Sequence, residues 1–300
     1  MDRLLALCDA VRSWQPGAAI RRSWPLKGGM SAEMYALELD GGRGGFDRIV
    51  VRYPGPEVGE IFEDPAGQEF RTLQAVKAAG LPSPIPVAVL DSSEGRFLLM
   101  EFLDGECTAS SPEPLDTACR YAEALAEIHR ADLARTDFSF LLRKSTTFTP
   151  KDRPLSTELR EAEVVEALMR LGDPEESETV LMHGDFWPGN VLWTDGKVSG
   201  IVDWENALLG PALADLGMTR LDMYWAFGRE AMEAFTRRYL ELNPQPTESL
   251  VYWDLRAALR PMPNLFEWSD PYVALGRADV TGESMASVLL SFIDDALRRA

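Results

Sequence analysis

LMHGDFWPGNVLWTDGKVSGIVDWENA, residues 181–207, is the stretch from which the rest of the chain can be read. It opens on a turn crowded with polar side chains. Two apolar, β-like runs then flank Asp195–Gly196, a dipeptide suited to a two-residue hairpin because both positions accept positive φ. A tight hairpin brings the outer ends of its strands together, so Asp185, Asn190 and Asp203 are expected to converge. A carboxylate that can accept a proton, with an amide oxygen and a second carboxylate as hard ligands, meets the needs of phosphoryl transfer on Mg²⁺.

The motif resembles the signature of the aminoglycoside and macrolide phosphotransferase, choline kinase and fructosamine kinase superfamily, whose fold is similar to that of the protein kinases. His183, Gly184 and Asp185 match its His-Gly-Asp, Asn190 its following Asn, and Asp203 with Trp204 and Glu205 its Asp-Trp-Glu string. The resemblance covers roughly residues 20–270. It implies Asp185 as the group that orients a substrate hydroxyl and accepts its proton, and Asn190 and Asp203 as catalytic ligands of Mg²⁺. Asp215, in GPALADLG, resembles the structural Asp that braces the catalytic loop, and His183 and His129 take architectural places. No long activation segment follows Asp203, which suits a small soluble hydroxyl donor better than a polypeptide.

Upstream, Gly28 and Gly29 interrupt a polar segment before the alternating run Tyr35, Leu37, Leu39. A glycine turn between strands lets backbone N–H groups approach phosphate oxygens. GGMSAEMYAL resembles the family's nucleotide loop, with Ser31 where that loop offers a hydroxyl. Arg52 follows the continuous apolar run Ile49–Val51, at the position where most relatives carry a phosphate-binding Lys. Its fork can pair with phosphate in a different geometry, and Lys27 is the backup cation. A helix is expected from about Gly67, with Phe70, Leu73 and Val76 as its apolar stripe. In its first turn Glu69 resembles the acidic partner that aligns the strand cation. RFLLMEFLDG, 96–105, resembles the interlobe hinge, where backbone groups of Glu101, Phe102 and Leu103 would bind an adenine edge.

Further along, Ala118, Tyr121, Leu125 and Ile128 mark a helix, and residues 136–157 read as a long connection or a lid. Leu159, Ala162, Val165, Leu168 and Met169 are the expected buried face of the helix that follows. Helices over 212–227, 230–241, 248–260 and 281–299 complete the chain. Tyr224, Trp225, Trp253, Phe266 and Trp268, near Asp222, Glu267 and Asp270, form a candidate wall for an amine.

Composition narrows the choices. With 300 residues, 46% of them hydrophobic, the chain can bury a substantial core. No apolar stretch of 18 residues occurs, which argues against a membrane span, and the N-terminus reads as a first helix instead of a signal peptide. Cys8, Cys107 and Cys119 lack metal-type spacing and read as thiols in a reducing, cytoplasmic setting. The 48 acidic and 30 basic residues give a formal charge of −18, which disfavours nucleic acid as a partner and favours a cationic substrate.

The expected fold is α+β, protein-kinase-like and two-lobed. A small β-rich N-lobe (1–103) would clamp the nucleotide, and a large, mainly helical C-lobe (104–300) would hold the catalytic and substrate-binding residues. The expected activity is transfer of phosphate from ATP, with GTP kept open, to a hydroxyl of an aminoglycoside, macrolide or related metabolite, without an obligate protein partner. Metabolite kinases of the choline, fructosamine or homoserine type are one alternative. A catalytically silent nucleotide-binding module is another.

Overall fold

The computed structural model describes residues 2–26, 32–41, 46–55, 62–93, 95–175 and 177–300. The glycine turn with Lys27, Gly28, Gly29 and Ser31 lies outside the described residues. The chain divides into two compact units, Met1–Asp104 with Ser199–Glu205, and Gly105–Val198 with Asn206–Ala300.

In the first unit, helix α1 (Asp2–Trp14) precedes strands β1 (Ala19–Pro25), β2 (Ala32–Asp40) and β3 (Arg48–Pro54). Helix α2 (Pro65–Ala78), β4 (Pro86–Ser92) and β5 (Gly95–Glu101) follow. The five strands form one antiparallel sheet in the order β1-β2-β3-β5-β4. One face of alternating side chains, Leu37 and Leu39 with Ile49, Val51, Phe97 and Leu99, closes over Leu7 and Val11, which lie one turn apart on α1. Val50 and Arg52, of opposite parity on β3, are buried too. A strand covered on both faces loses its polar alternation, and this one carries a charge into the interior.

Helix α2 starts where Asp64 caps it, accepting from the Gly67 N–H at 3.0 Å, with Pro65 in the first turn. Its buried stripe runs Ala66, Glu69, Thr72, Leu73, Val76. Phe70, expected on that stripe, is only half-buried; the charged Glu69 has its place. The segment Ser199–Glu205, which a division at residue 103 leaves with the second lobe, belongs to the first unit. The Ile201 N–H donates to the Pro82 carbonyl at 2.6 Å, and the Ser199 hydroxyl to the Asp104 carbonyl at 3.3 Å.

The second unit is mainly helical: α3 (Pro114–His129), α4 (Glu161–Leu171), α5 (Ala212–Phe227), α6 (Arg229–Leu242), α7 (Leu250–Ala258), α8 (Asp270–Ala274) and α9 (Gly282–Leu297). Helix α5 is its axis, buried on nearly every side and packed against α6 and α7. Arg220 of α5 holds Asp254 of α7 through Nε at 2.8 Å and Nη2 at 3.1 Å. Short strands β6 (Thr179–Met182) and β9 (Leu208–Pro211) pair antiparallel. Strands β7 (Val191–Thr194) and β8 (Lys197–Ile201) form the hairpin, turned at Asp195 and Gly196 with φ of 51° and 71°. Both angles are those a type I′ turn demands.

The buried face of α4 differs from the expected one. It is Glu161, Val164, Ala167 and Leu168, while Ala162 and Met169 are exposed. Residues before Glu161 are turns, with Arg160 left-handed at φ 55°, so counting helical phase from Leu159 shifts the stripe by a residue. Glu161 is buried because Arg153 binds both of its carboxylate oxygens and the Ser156 N–H donates to it at 2.8 Å.

Candidate active site

The loop after β6 is fixed from beneath by a carboxylate in the first turn of α5. Asp215 is fully buried and accepts from the His183 N–H at 2.8 Å and the Gly184 N–H at 3.1 Å. His129 Nε2 lies 3.2 Å from the same carboxylate, and its Nδ1 lies 2.5 Å from the Tyr239 hydroxyl. Burial alone would raise the Asp215 pKa, but hydrogen bonds and charge from His129 and His183 win and hold it below the usual carboxylate range. The His129 ring and the His183 backbone thus both bind Asp215.

Gly184 has φ 79°, and a Cβ there would stand 2.2 Å from the Asn206 carbonyl oxygen. Strain and backbone collision act together, so Gly184→Ala is expected to destabilise the protein by about 2–3 kcal/mol. A denaturant titration measures this; an unchanged midpoint would contradict it.

This loop presents Asp185. Asn190, in the 3₁₀ turn Pro188–Asn190, donates through Nδ2 to the Asp185 carbonyl at 2.9 Å and to its Oδ2 at 3.1 Å. The amide is thereby oriented, and Asn190 Oδ1 accepts no hydrogen bond among the described residues. Arg260 Nη2 sits 3.1 Å from Asp185 Oδ1. Sequence reasoning missed Arg260: it lies 75 positions from its partner and belongs to no motif.

Trp187 packs on Tyr272 with ring centroids 5.4 Å apart, and the Tyr272 hydroxyl lies 3.3 Å from Asp222 Oδ1. Burial pushes Asp222 up to about 7, against the pull of Arg260. Unfolded, the same carboxyl titrates near ~3.9. Between those values the folded state holds a proton that the unfolded state has lost. Stability from this group is therefore full below about pH 4 and lost as pH rises to 7, a change of order 4 kcal/mol. Asp222→Asn is expected to remove that slope from stability measured against pH. Parallel wild-type and variant curves would contradict the assignment.

In the first unit Arg52 is buried, and β3 places it opposite Met34 and Leu98. Its Nε is 2.8 Å from Glu69, and its Nη2 is 3.0 Å from Asp203 and 2.5 Å from Glu205. Burial disfavours its charge, yet the three carboxylates overcome that and raise its pKa above the ordinary arginine value. Burial drives Glu69 upward, with Arg52 opposing. The expected Arg52–Glu69 pair is present, but Arg52 also holds the Asp203 end of the motif. Glu205 was quoted in the motif without being singled out as a site residue; its place two positions after Asp203 was the available signal. Asp203 itself has φ 64°, a strained conformation for a residue other than glycine.

Among the described residues no cluster of three or more acidic, His or Cys side chains is spaced to hold a metal ion; Asp203 pairs with Arg52 through Oδ1, which leaves its second carboxylate oxygen as a hard donor of the kind Mg²⁺ accepts. At the end of β5 the Glu101 N–H donates to the Ile85 carbonyl at 2.8 Å and the Phe102 N–H to that of Arg48 at 3.4 Å. Leu103 N–H is the donor of this run that no carbonyl takes among the described residues. Of the expected amine wall, Trp225 and Trp268 pack edge to face at 6.1 Å, but the carboxylates do not join them. Asp222 is buried beside Tyr272, Glu267 is exposed and bonded to Asn264, and Trp225 is core.

The model of the phosphotransferase enzyme family (APH) matches residues 24–252. Acyl-CoA dehydrogenase family member 11 of Gallus gallus is 26% identical over 298 residues, covering 88% of this chain and 36% of that protein. Acyl-CoA dehydrogenase family member 10 of Mus musculus is 28% identical over 179 residues, covering 52% and 17%. The chain thus spans about a third or less of the length of these curated relatives.

Solved structures share the fold. Aminoglycoside phosphotransferase APH(4)-Ia aligns with a TM-score of 0.65 at 18% identity, covering 99% of both chains. Macrolide 2′-phosphotransferase MphH from Brachybacterium faecium aligns with 0.61 at 20%, covering 96% of this chain and 98% of that one. The GDP and kanamycin complex of APH(2")-IIia aligns with 0.66 at 16%, covering 98% and 99%. Its antiparallel sheet, its mainly helical second unit and the family match over residues 24–252 together place this chain in the phosphotransferase enzyme family.

Proposed function

We propose that the chain transfers the terminal phosphoryl group of ATP to a hydroxyl of a small molecule. The observation that carries this reading is Asp185, held by Asn190 on a loop anchored to Asp215, with an oxygen facing Arg260. In the reaction the acceptor oxygen forms a bond to the γ-phosphorus, the bond from that phosphorus to the β,γ-bridging oxygen breaks, and ADP leaves. The hydroxyl proton passes to Asp185. Phosphoryl transfer depends chiefly on position and charge stabilisation, so Asp185 contributes foremost by orienting the hydroxyl.

Asn190 Oδ1 and Asp203, with Glu205 beside it, are the groups that would hold Mg²⁺. When bound, the ion supplies positive charge to the β- and γ-phosphate oxygens. Arg52, aligned by Glu69, is assigned to the α- and β-phosphates, and the Leu103 N–H to the adenine edge. Gly28, Gly29 and Ser31 keep the proposed role of covering the phosphates, and GTP stays open as a donor. A cytoplasmic location is part of the same proposal. Among the described residues no helix is long and apolar enough to cross a membrane.

The test is ADP release from MgATP or MgGTP by the purified protein across hydroxyl compounds. The panel takes in aminoglycosides, macrolides, choline, sugars and hydroxy acids. Release that depends on the acceptor supports the reading. Nucleotide binding without transfer to any acceptor counts against it and favours a silent module.

A further inference from the structure

The second unit contains a cavity of about 530 Å³ walled by the 144–155 connection, α4, α5 and α7. Its charge is opposite to that of the chain. Five cationic side chains, Lys144, Lys151, Arg153, Arg256 and Arg260, line it against one carboxylate, Glu161. Glu161 is already taken by Arg153 and the Ser156 N–H. Arg260 is balanced by Asp185, outside the lining.

Lys144, Lys151 and Arg256 form no ion pair within 4.0 Å among the described residues, although Asp215 acts on Lys144 and Glu161 on Lys151 from farther off. Arg256 is nonetheless held in place. Its Nη1 donates to the Tyr252 hydroxyl oxygen at 3.0 Å and the Thr146 carbonyl at 3.3 Å, and its guanidinium carbon lies 5.6 Å from the centre of the Trp253 ring. A fixed guanidinium with neutral acceptors keeps its whole charge for a ligand. Lys144 feels that field: burial, then repulsion from Arg256 and Arg260, lowers its pKa. Apolar wall is supplied by Trp253, Met218 and Val165.

Taking the phosphotransferase reading as its basis, we propose that this cavity is the acceptor site and that the acceptor is an anionic hydroxyl compound. A carboxylate or phosphate of the acceptor pairs with Lys144 and Arg256. Arg260 joins the two halves of the site, lining the cavity while its Nη2 contacts Asp185. Net charge pointed the other way because −18 is a sum over the whole chain. Local potential in a cavity is set by the few charges that line it.

Trp253 and Trp268 line the cavity, so their fluorescence reports its occupancy. The test titrates malate, 3-phosphoglycerate, choline and kanamycin into the protein and into a Lys144→Met/Arg256→Met variant, at low and high salt. Thermal melting and nucleotide binding check that the variant is folded. The expected result is saturable binding of an anion, weakened by salt, lost roughly tenfold or more in the double variant, and partly restored by Arg256→Lys in place of Arg256→Met. Malate alone, or 3-phosphoglycerate alone, would distinguish a carboxylate site from a phosphate site.

Tighter binding of choline or kanamycin than of either anion, or anion binding that the double variant leaves unchanged, overturns the proposal. So does absence of anion binding by the wild-type protein at millimolar concentration. Anion binding lost in the variant, without phosphoryl transfer to any hydroxyl, upholds the anion site but refutes the phosphotransferase reading and with it the acceptor role.

Discussion

Asp185→Asn is expected to lower kcat for phosphoryl transfer by about a hundred- to ten-thousandfold while the fold and nucleotide binding persist. The substitution keeps shape and one of the two oxygens, so that either Arg260, which donates to Oδ1, or Asn190, which donates to Oδ2, retains its side-chain acceptor. It removes the proton acceptor. The ion pair it breaks is part-exposed, with side chains 31% and 27% accessible, so the stability cost stays within about 1 kcal/mol. The readouts are single-turnover transfer from MgATP, equilibrium nucleotide binding and thermal melting. Unchanged kcat would show that Asp185 takes no proton. A collapse of melting temperature together with kcat would show that its role is structural.

Arg52→Met is expected to cost about 3–5 kcal/mol in folding stability, because it strands buried carboxylates without their cation. Glu69, Asp203 and Glu205 all face Arg52, and Glu69 and Glu205 are 4% and 7% accessible. The sign with pH follows from the same arrangement. Burial already drives the Glu69 carboxyl upward, and without Arg52 its main opposing influence is gone. The variant is therefore least unstable at acid pH and loses ground as pH climbs through that raised value.

Arg52→Lys should recover part of the loss, since one ammonium cannot serve both the Glu69 side and the Asp203–Glu205 side as a guanidinium does. Urea titrations at two pH values check both statements. A variant whose stability deficit is independent of pH would contradict the charge account.

Much of the site was legible because its chemistry is compressed into a short stretch. Asp195–Gly196 dictates a hairpin through backbone sterics alone, and Asp185 and Asn190 precede it and the Asp203–Glu205 string follows it closely in the sequence. Asp215 could be placed because it opens a helix a few residues later. What the sequence did not show depends on side chains gathered from far apart. The resemblance pairs Arg52 with Glu69, but nothing local reveals that Asp203 and Glu205, up to 153 positions away, hold the same guanidinium.

Arg260 has no signature beyond being an arginine. Lys144 and Arg256 lie on separate elements, and net charge concealed them. The phase error in α4 arose because Leu159 precedes the helix, while its true anchor, Glu161, is an acidic residue that periodicity counts as exposed. The amine wall is only partly gathered for a related reason. Aromatic residues on helices of the second unit fill the core first, and Trp225 is only 4% accessible.

The central claim is transfer of a phosphoryl group to a small hydroxyl compound, and its most direct measurement follows the phosphate itself. Purified protein is incubated with Mg²⁺ and ATP labelled in the γ-phosphate, with each acceptor of the panel, and products are separated from inorganic phosphate. The account predicts label on an acceptor hydroxyl, dependent on the acceptor and absent with Asp185→Asn. Label found only as ATP or inorganic phosphate, with nucleotide bound and every acceptor unmodified, would contradict it.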